Sequence, residues 1–216
     1  MSVEEQVRSH FHADAERFDA IYDDEDKGRF GRFVDDVWRG VVKQRFDLTL
    51  ALLEPLAEKT VLDVGCGSGR YCIAYAQRGA RQVVGVDFVV AMIDLAQHHA
   101  ERAGVADRCD LRVGSFPDAV QDGPFDASTA MGFFDYVDQP ARVLSSMRER
   151  TRGTMVMSFP KSREWRAPLR RARFAVNRCP LYLYSEDGLK RLLAEAGIDR
   201  HDTIDLGRDY VVVART

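Results

Sequence analysis

The sequence predicts a doubly wound α/β fold: a mainly parallel, seven-stranded sheet closed by a C-terminal antiparallel hairpin. Three observations carry that prediction. Short apolar runs alternate with helix-length segments that stop at glycines. The run TVLDVGCGSGR at 60–70 passes from an apolar strand straight into a glycine turn. The last two strand-like segments are separated only by Gly207 to Asp209, a link too short for a parallel crossover.

Taken in order, the first strand contains Val61, Leu62 and Val64, apolar side chains of the kind that fill a strand buried on both faces. Asp63 lies inside that run, where a carboxylate without a partner carries a heavy desolvation cost, so it needs a donor or a cation. Gly65, Gly67 and Gly69 remove the Cβ atoms that would keep backbone amides from a ligand or forbid a positive φ. The spacing predicts a helix over 70–78 closed by Gly79, a strand over 82–86 ending in Asp87, and a helix over 90–103 closed by Gly104. His98 and His99 are expected as exposed residues of that helix. Strands follow at 110–113, 125–131 and 153–159, with a helix over 140–150 between the last two. A helix over 189–196, again closed by glycine, leads into hairpin strands at 202–206 and 210–214.

With 216 residues, 45% hydrophobic and 30% charged, the chain can bury one sizeable core and little more. No stretch approaches the apolar length of a membrane span, and the start MSVEEQVRSH is polar and acidic rather than secretory, so a cytoplasmic location is expected. Cys66, Cys72, Cys109 and Cys179 form no C-x-x-C pair and no cluster with histidine, which predicts reduced, mostly buried thiols and no metal site.

The glycine fingerprint of nicotinamide and flavin proteins, G-x-G-x-x-G/A, fits at Gly65 and Gly67 but meets Arg70 at its last position. The pattern D-x-G-x-G-x-G at 63–69 instead resembles the first motif of class I S-adenosylmethionine-dependent methyltransferases, whose fold is Rossmann-like. Asp87 stands roughly 20 residues after the first glycine, the spacing of an acid that binds ribose hydroxyls. A dinucleotide-binding protein needs the same acid, so Asp87 supports an adenosine ligand without choosing between hydride and methyl chemistry.

The resemblance implies a cofactor set of Tyr22, Asp63, Gly65, Cys66, Gly67, Gly69, Asp87, Phe88, Met92, Ser115, Phe116 and Met131. In it, Asp63 helps hold the methionine amino group, Asp87 takes the ribose diol, and Phe88 packs on adenine or serves as ordinary core. Ser115 stands where the family commonly has an acid for the adenine amino group. The N-terminal residues Phe11, Phe18 and Tyr22 recur at helical spacing, and in the family an early tyrosine-bearing helix acts as a lid. The product would be S-adenosylhomocysteine.

Open parallel sheets bind ligands at the carboxyl ends of their strands, so the loop Gly132 to Val137 is expected to face the transferable methyl group. Asp135 can orient or deprotonate an acceptor and Tyr136 can contact donor or acceptor; alternatively Asp135 caps the helix near Pro140. A carboxylate acceptor needs no base. Formal net charge is −3, yet Lys161, Arg163, Arg166, Arg170, Arg171, Arg173 and Arg178 cluster with Glu164 as their only acidic neighbour, interleaved with Trp165, Phe174, Tyr182 and Tyr184. That suits an anionic or aromatic small-molecule acceptor held by Arg166, Arg170, Arg171 and Tyr184; a solvated helix face paired with the acidic N-terminal segment is the alternative. The stretch 159–197 resembles magnesium-protoporphyrin O-methyltransferases and related small-molecule enzymes. A nucleic-acid acceptor, as in RNA or tRNA methyltransferases, an NAD(P)-dependent oxidoreductase and a non-catalytic adenosine-binding module remain alternatives. One domain is expected over 1–216: a helical lid at 1–45, a cofactor-binding core at 46–160, a substrate-facing insertion at 161–188, and a closing helix and hairpin at 189–216.

Overall fold

Val61, Leu62 and Val64 are all fully buried, as branched and apolar side chains require of a strand covered on both faces. In the computed structural model, which describes residues 29–162 and 181–216, they belong to an interior strand of the sheet, with a strand on either side. The chain runs through α1 (Arg29–Leu53), β1 (Thr60–Val64), α2 (Arg70–Gln77), β2 (Gln82–Asp87), α3 (Val90–Arg102) and β3 (Cys109–Val113). It continues through β4 (Phe125–Ala130), α4 (Pro140–Glu149), β5 (Thr151–Pro160), α5 (Glu186–Glu195), β6 (His201–Asp205) and β7 (Asp209–Arg215).

The sheet has seven strands in the order β3-β2-β1-β4-β5-β7-β6. β1 to β5 pair in parallel, and β7 lies antiparallel between β5 and β6. The expected mixed sheet with its closing hairpin is therefore present. Consecutive residues point to opposite faces of a strand, and the core divides accordingly. Leu62, Val64, Val84, Val86, Met155 and Met157 pack with Val143, Leu144 and Met147 of α4 and Leu189 and Leu193 of α5. Their neighbours Val61, Val83 and Val156 pack with Leu50 and Leu53 of α1, Tyr75 of α2 and Ile93 of α3. Strand order reverses at β1, and the crevice beyond the carboxyl ends of β1 and β4 is where such sheets accept ligands.

Two elements depart from the sequence expectations. α5 begins at Glu186, three residues early, because Ser185 caps it by accepting the Gly188 N–H at 3.1 Å. The helical segment expected to stop at 45 runs on: α1 crosses that position without a break, and its last turns bury Thr49, Leu50 and Leu53. Phe11, Phe18, Tyr22, Arg166, Arg170 and Arg171 lie outside the described residues.

Candidate active site

The turn that follows β1 holds three residues in the left-handed region, Gly65 (φ 70°), Gly67 (φ 52°) and Gly69 (φ 80°). The β1–β2 ladder continues into it, since the N–H groups of Gly65 and Cys66 both donate to the Val86 carbonyl, at 2.8 and 3.1 Å. The three glycines serve different ends. A Cβ on Gly65 would lie 2.4 Å from Phe133 Cδ2, and one on Gly69 would lie 2.8 Å from the Ala96 Cβ, so both admit close packing. Among the described residues, a Cβ on Gly67 would meet nothing within 4 Å.

Two carboxylates flank this turn. Asp63 is 1% exposed; Thr129 Oγ1 donates to its Oδ1 at 2.8 Å and Cys72 Sγ to its Oδ2 at 3.4 Å. The hydroxyl of Tyr75 supports Thr129 from 3.3 Å. Burial pushes the Asp63 carboxyl up to about 7; the two donors oppose that rise and the charge of Asp87 adds to it. The donor that Asp63 was expected to need is thus supplied by a neutral hydroxyl and a thiol. Asp87, at the end of β2, accepts from the Gly67 N–H at 3.0 Å and from the Val89 N–H at 2.9 Å, one on each oxygen. Burial raises its pKa while these backbone donors lower it. Each carboxylate oxygen has a second lone pair, so Asp87 keeps acceptor capacity for a diol.

Beyond Asp87, Phe88 packs with Val89, Ala91, Met92 and Leu95 in a small apolar cluster of its own. Val90 and Val113, about half exposed, lie near it in the chain after β2 and at the end of β3. Ser115 follows as a half-buried residue whose carbonyl accepts the Ala119 N–H. Three residues of the expected cofactor set send their side chains into the core instead. Phe116 packs with Val120 in the main cluster beneath the Arg150 guanidinium, 5.8 Å from its ring centre. Met131 is buried against α1, its sulfur 3.8 Å from Thr49 Oγ1. Cys66 lies with Cys72 over Gly85, where a Cβ would come within 3.1 Å of either sulfur.

The loop after β4 places Asp135 and Tyr136 as partly exposed residues beside Phe133, which covers Gly65. The Asp135 carbonyl accepts the Tyr182 N–H at 2.8 Å, joining this loop to the segment before α5. Asp135 is not the cap of α4: that position is Gln139, with no side-chain cap bond. Tyr184 donates its hydroxyl to the Phe134 carbonyl at 3.1 Å and sets its ring edge against Phe159, 5.2 Å between centres, so it forms part of the loop's wall.

Sequence reasoning missed a polar group under the same loop. The Gly132 N–H donates to Ser158 Oγ at 2.7 Å, and Arg45 Nη1 reaches Ser158 Oγ at 3.5 Å and Asp209 Oδ2 at 3.2 Å. No local pattern pairs a helix residue with one 164 positions later.

A doubly wound sheet with an antiparallel seventh strand, and a glycine turn between the buried Asp63 and the half-buried Asp87 at its switch point, define a class I methyltransferase-type domain. Residues 32–201 match the family described as "Methyltransferase domain", and the chain belongs to that family. Over 108 residues it is 36% identical to a ubiquinone biosynthesis O-methyltransferase of Histophilus somni, covering 48% of this chain and 45% of that one. A tRNA U34 carboxymethyltransferase of Marinobacter nauticus is 48% identical over 58 residues, 27% of this chain and 17% of the relative. The chain thus spans less than half the length of these two curated relatives. The crystal structure of magnesium protoporphyrin IX methyltransferase from Synechocystis with bound SAH superposes with a TM-score of 0.80 at 20% identity, over 99% of each chain.

Proposed function

We propose that this protein transfers a methyl group from S-adenosylmethionine to an oxygen atom of a small anionic or aromatic metabolite, releasing S-adenosylhomocysteine. The observation that carries the reading is the cradle at Gly67, open among the described residues where a Cβ would stand and flanked by Asp63 and Asp87. When bound there, the sulfonium group supplies an electrophilic methyl carbon. In this reading the spare lone pairs of Asp87 take the ribose hydroxyls, and Asp63, once ionised, faces the ammonium group. Phe88, Val90 and Val113 offer an apolar surface for a purine, backed by the buried Met92, with Ser115 at its edge. Gly65, Gly69, Cys66 and Met131 shape the floor through their backbone.

On the acceptor side, Asp135 orients the attacking oxygen or takes its proton, and Tyr136 lines the approach. In-line displacement at carbon asks for alignment and a dry pocket above all. In the same reading Tyr22, from a helical lid, contacts the cofactor, and Arg166, Arg170 and Arg171 bind the acceptor together with Tyr184. The same proposal takes 1–216 as one domain, with lid, cofactor core, insertion and closing hairpin divided near 45, 160 and 188, the first of these divisions falling within α1. A cytoplasmic setting belongs to the same proposal; no described helix is long and apolar enough to cross a membrane. A tRNA acceptor is the second reading, favoured by the basic segment and by the Marinobacter relative.

Calorimetry with S-adenosylhomocysteine and with reduced nicotinamide cofactor tests the cofactor; binding of the nicotinamide alone would overturn the reading. Transfer of labelled methyl groups into a metabolite extract, compared with a tRNA pool and followed by mass spectrometry, identifies the acceptor. Label confined to tRNA would replace the small-molecule assignment.

A further inference from the structure

The Ser68 carbonyl lies within the glycine turn, between Gly67 and Gly69, and a side chain from α3 holds it. His99 Nδ1 is 3.2 Å from that oxygen, across 31 residues of sequence. A carbonyl only accepts, so this contact requires the proton on Nδ1. The other end of the same peptide is also tied, because the Gly69 N–H donates to the Cys66 carbonyl at 3.0 Å. A planar peptide gripped at both its carbonyl and its N–H has lost its freedom to rotate.

His99 is half-buried rather than an exposed helix residue, and the phase of α3 explains the difference. Met92 and Ala96, seven and three residues before it, share its side of the helix and are both buried. Ala96 is the residue on which Gly69 rests, where a Cβ would come to 2.8 Å. One face of α3 thus supports the turn twice, by contact under Gly69 and by a hydrogen bond to Ser68. Such support matters because three left-handed glycines in five residues make a turn whose ordering is entropically costly. A turn ordered in advance leaves less of that cost to ligand binding.

We propose that His99 is a positioning residue for the cofactor: by holding the Ser68 carbonyl, with Ala96 beneath Gly69, it sets the glycine turn in its binding shape before the ligand arrives. This rests on the turn being the S-adenosylmethionine site. The test is calorimetric titration of the full chain with S-adenosylhomocysteine, for the parent and for His99→Ala, His99→Asn and His99→Gln, with circular dichroism to establish folding. Removing one neutral hydrogen bond should weaken binding about fivefold in His99→Ala. His99→Asn, whose side-chain N–H stands where Nδ1 does, should return to within about twofold of the parent. His99→Gln, whose amide lies one atom further out, should stay weak. If His99→Ala does not fold, the Asn and Gln variants carry the comparison. Parent-like affinity in His99→Ala, or an Asn variant no tighter than the Gln variant, overturns the proposal. A parent that does not bind S-adenosylhomocysteine overturns the cofactor reading beneath it and with it this role of His99.

Discussion

Arg45 and Asp209 form an ion pair between α1 and the start of β7, Nη1 to Oδ2 at 3.2 Å, with side chains only 14% and 9% exposed. Ser158, also within reach of Arg45, accepts the N–H that opens the loop carrying Asp135 and Tyr136. A helix outside the sheet, the final strand and the candidate acceptor loop therefore meet at one guanidinium. Asp209→Ala takes the carboxylate from a cation that is kept from water, and stability should fall by about 3 kcal/mol. Urea denaturation measures this; an unchanged midpoint would show that the pair is not worth its desolvation.

Asp87→Ala removes the acceptor for the Gly67 and Val89 N–H groups together with the proposed partner of the ribose diol. S-adenosylmethionine affinity should drop by roughly 1 to 3 kcal/mol, as expected when a charged hydrogen-bond acceptor is lost. Titration of the folded variant with unaltered affinity would remove the ribose assignment.

Gly65→Ala and Gly67→Ala should fail in different ways. Both force a side chain into left-handed backbone at a cost of about 1 to 2 kcal/mol. Only the first also drives a Cβ into Phe133. Gly65→Ala should show the larger loss in thermal midpoint, with the loop at 132–137 displaced. Gly67→Ala should fold more nearly like the parent yet lose ligand affinity, since its new methyl projects into the open cradle. Equal midpoints for the two variants would contradict this division.

Asp63 makes stability depend on pH with an unusual sign for a carboxylate. Its folded carboxyl holds the proton up to about pH 7, against an ordinary value of 3.8. Between those limits the native state binds the extra proton, so its contribution is full below the unfolded value and is lost as pH rises through about 7. Urea midpoints of the ligand-free parent should carry a falling component from pH 5 to pH 8, on the order of a few kcal/mol, which Asp63→Asn abolishes. Parallel pH profiles for the two proteins would refute it. Ligand binding should run the other way, since a cation at Asp63 favours the ionised form and its affinity should fall below pH 7.

Much of this architecture was legible because it rests on short-range pattern. Strand runs such as Val83 to Val86, glycine stops and the three-residue link before β7 each report geometry within a few residues, and so does the interval from Gly65 to Asp87. Side-chain direction was less legible. Phe116, Met131 and Cys66 follow strands at the crevice, but whether such a residue faces ligand or core depends on the face it occupies, and all three turned inward. The continuation of α1 to Leu53 was not read, although Phe33, Val34, Val37, Trp38, Val41 and Val42 recur at helical spacing ahead of the buried Thr49, Leu50 and Leu53. The Arg45, Ser158 and Asp209 group was beyond reach, being assembled across the whole fold. The spacing of Met92, Ala96 and His99 was available, and it would have turned His99 toward the glycine turn.

The position of β7 between β5 and β6 also sets the order in which this sheet can be completed during synthesis. While β6 emerges from the ribosome, its neighbour in the finished sheet does not yet exist, and the edge of β5 from Thr154 to Pro160 has no strand beside it. That edge presents the backbone N–H and C=O groups that pair with β7 in the finished sheet, in a strand whose Met155, Val156, Met157 and Phe159 are apolar. A nascent or truncated chain stopping before Asp209 therefore displays a long apolar pairing edge, which invites association with other chains.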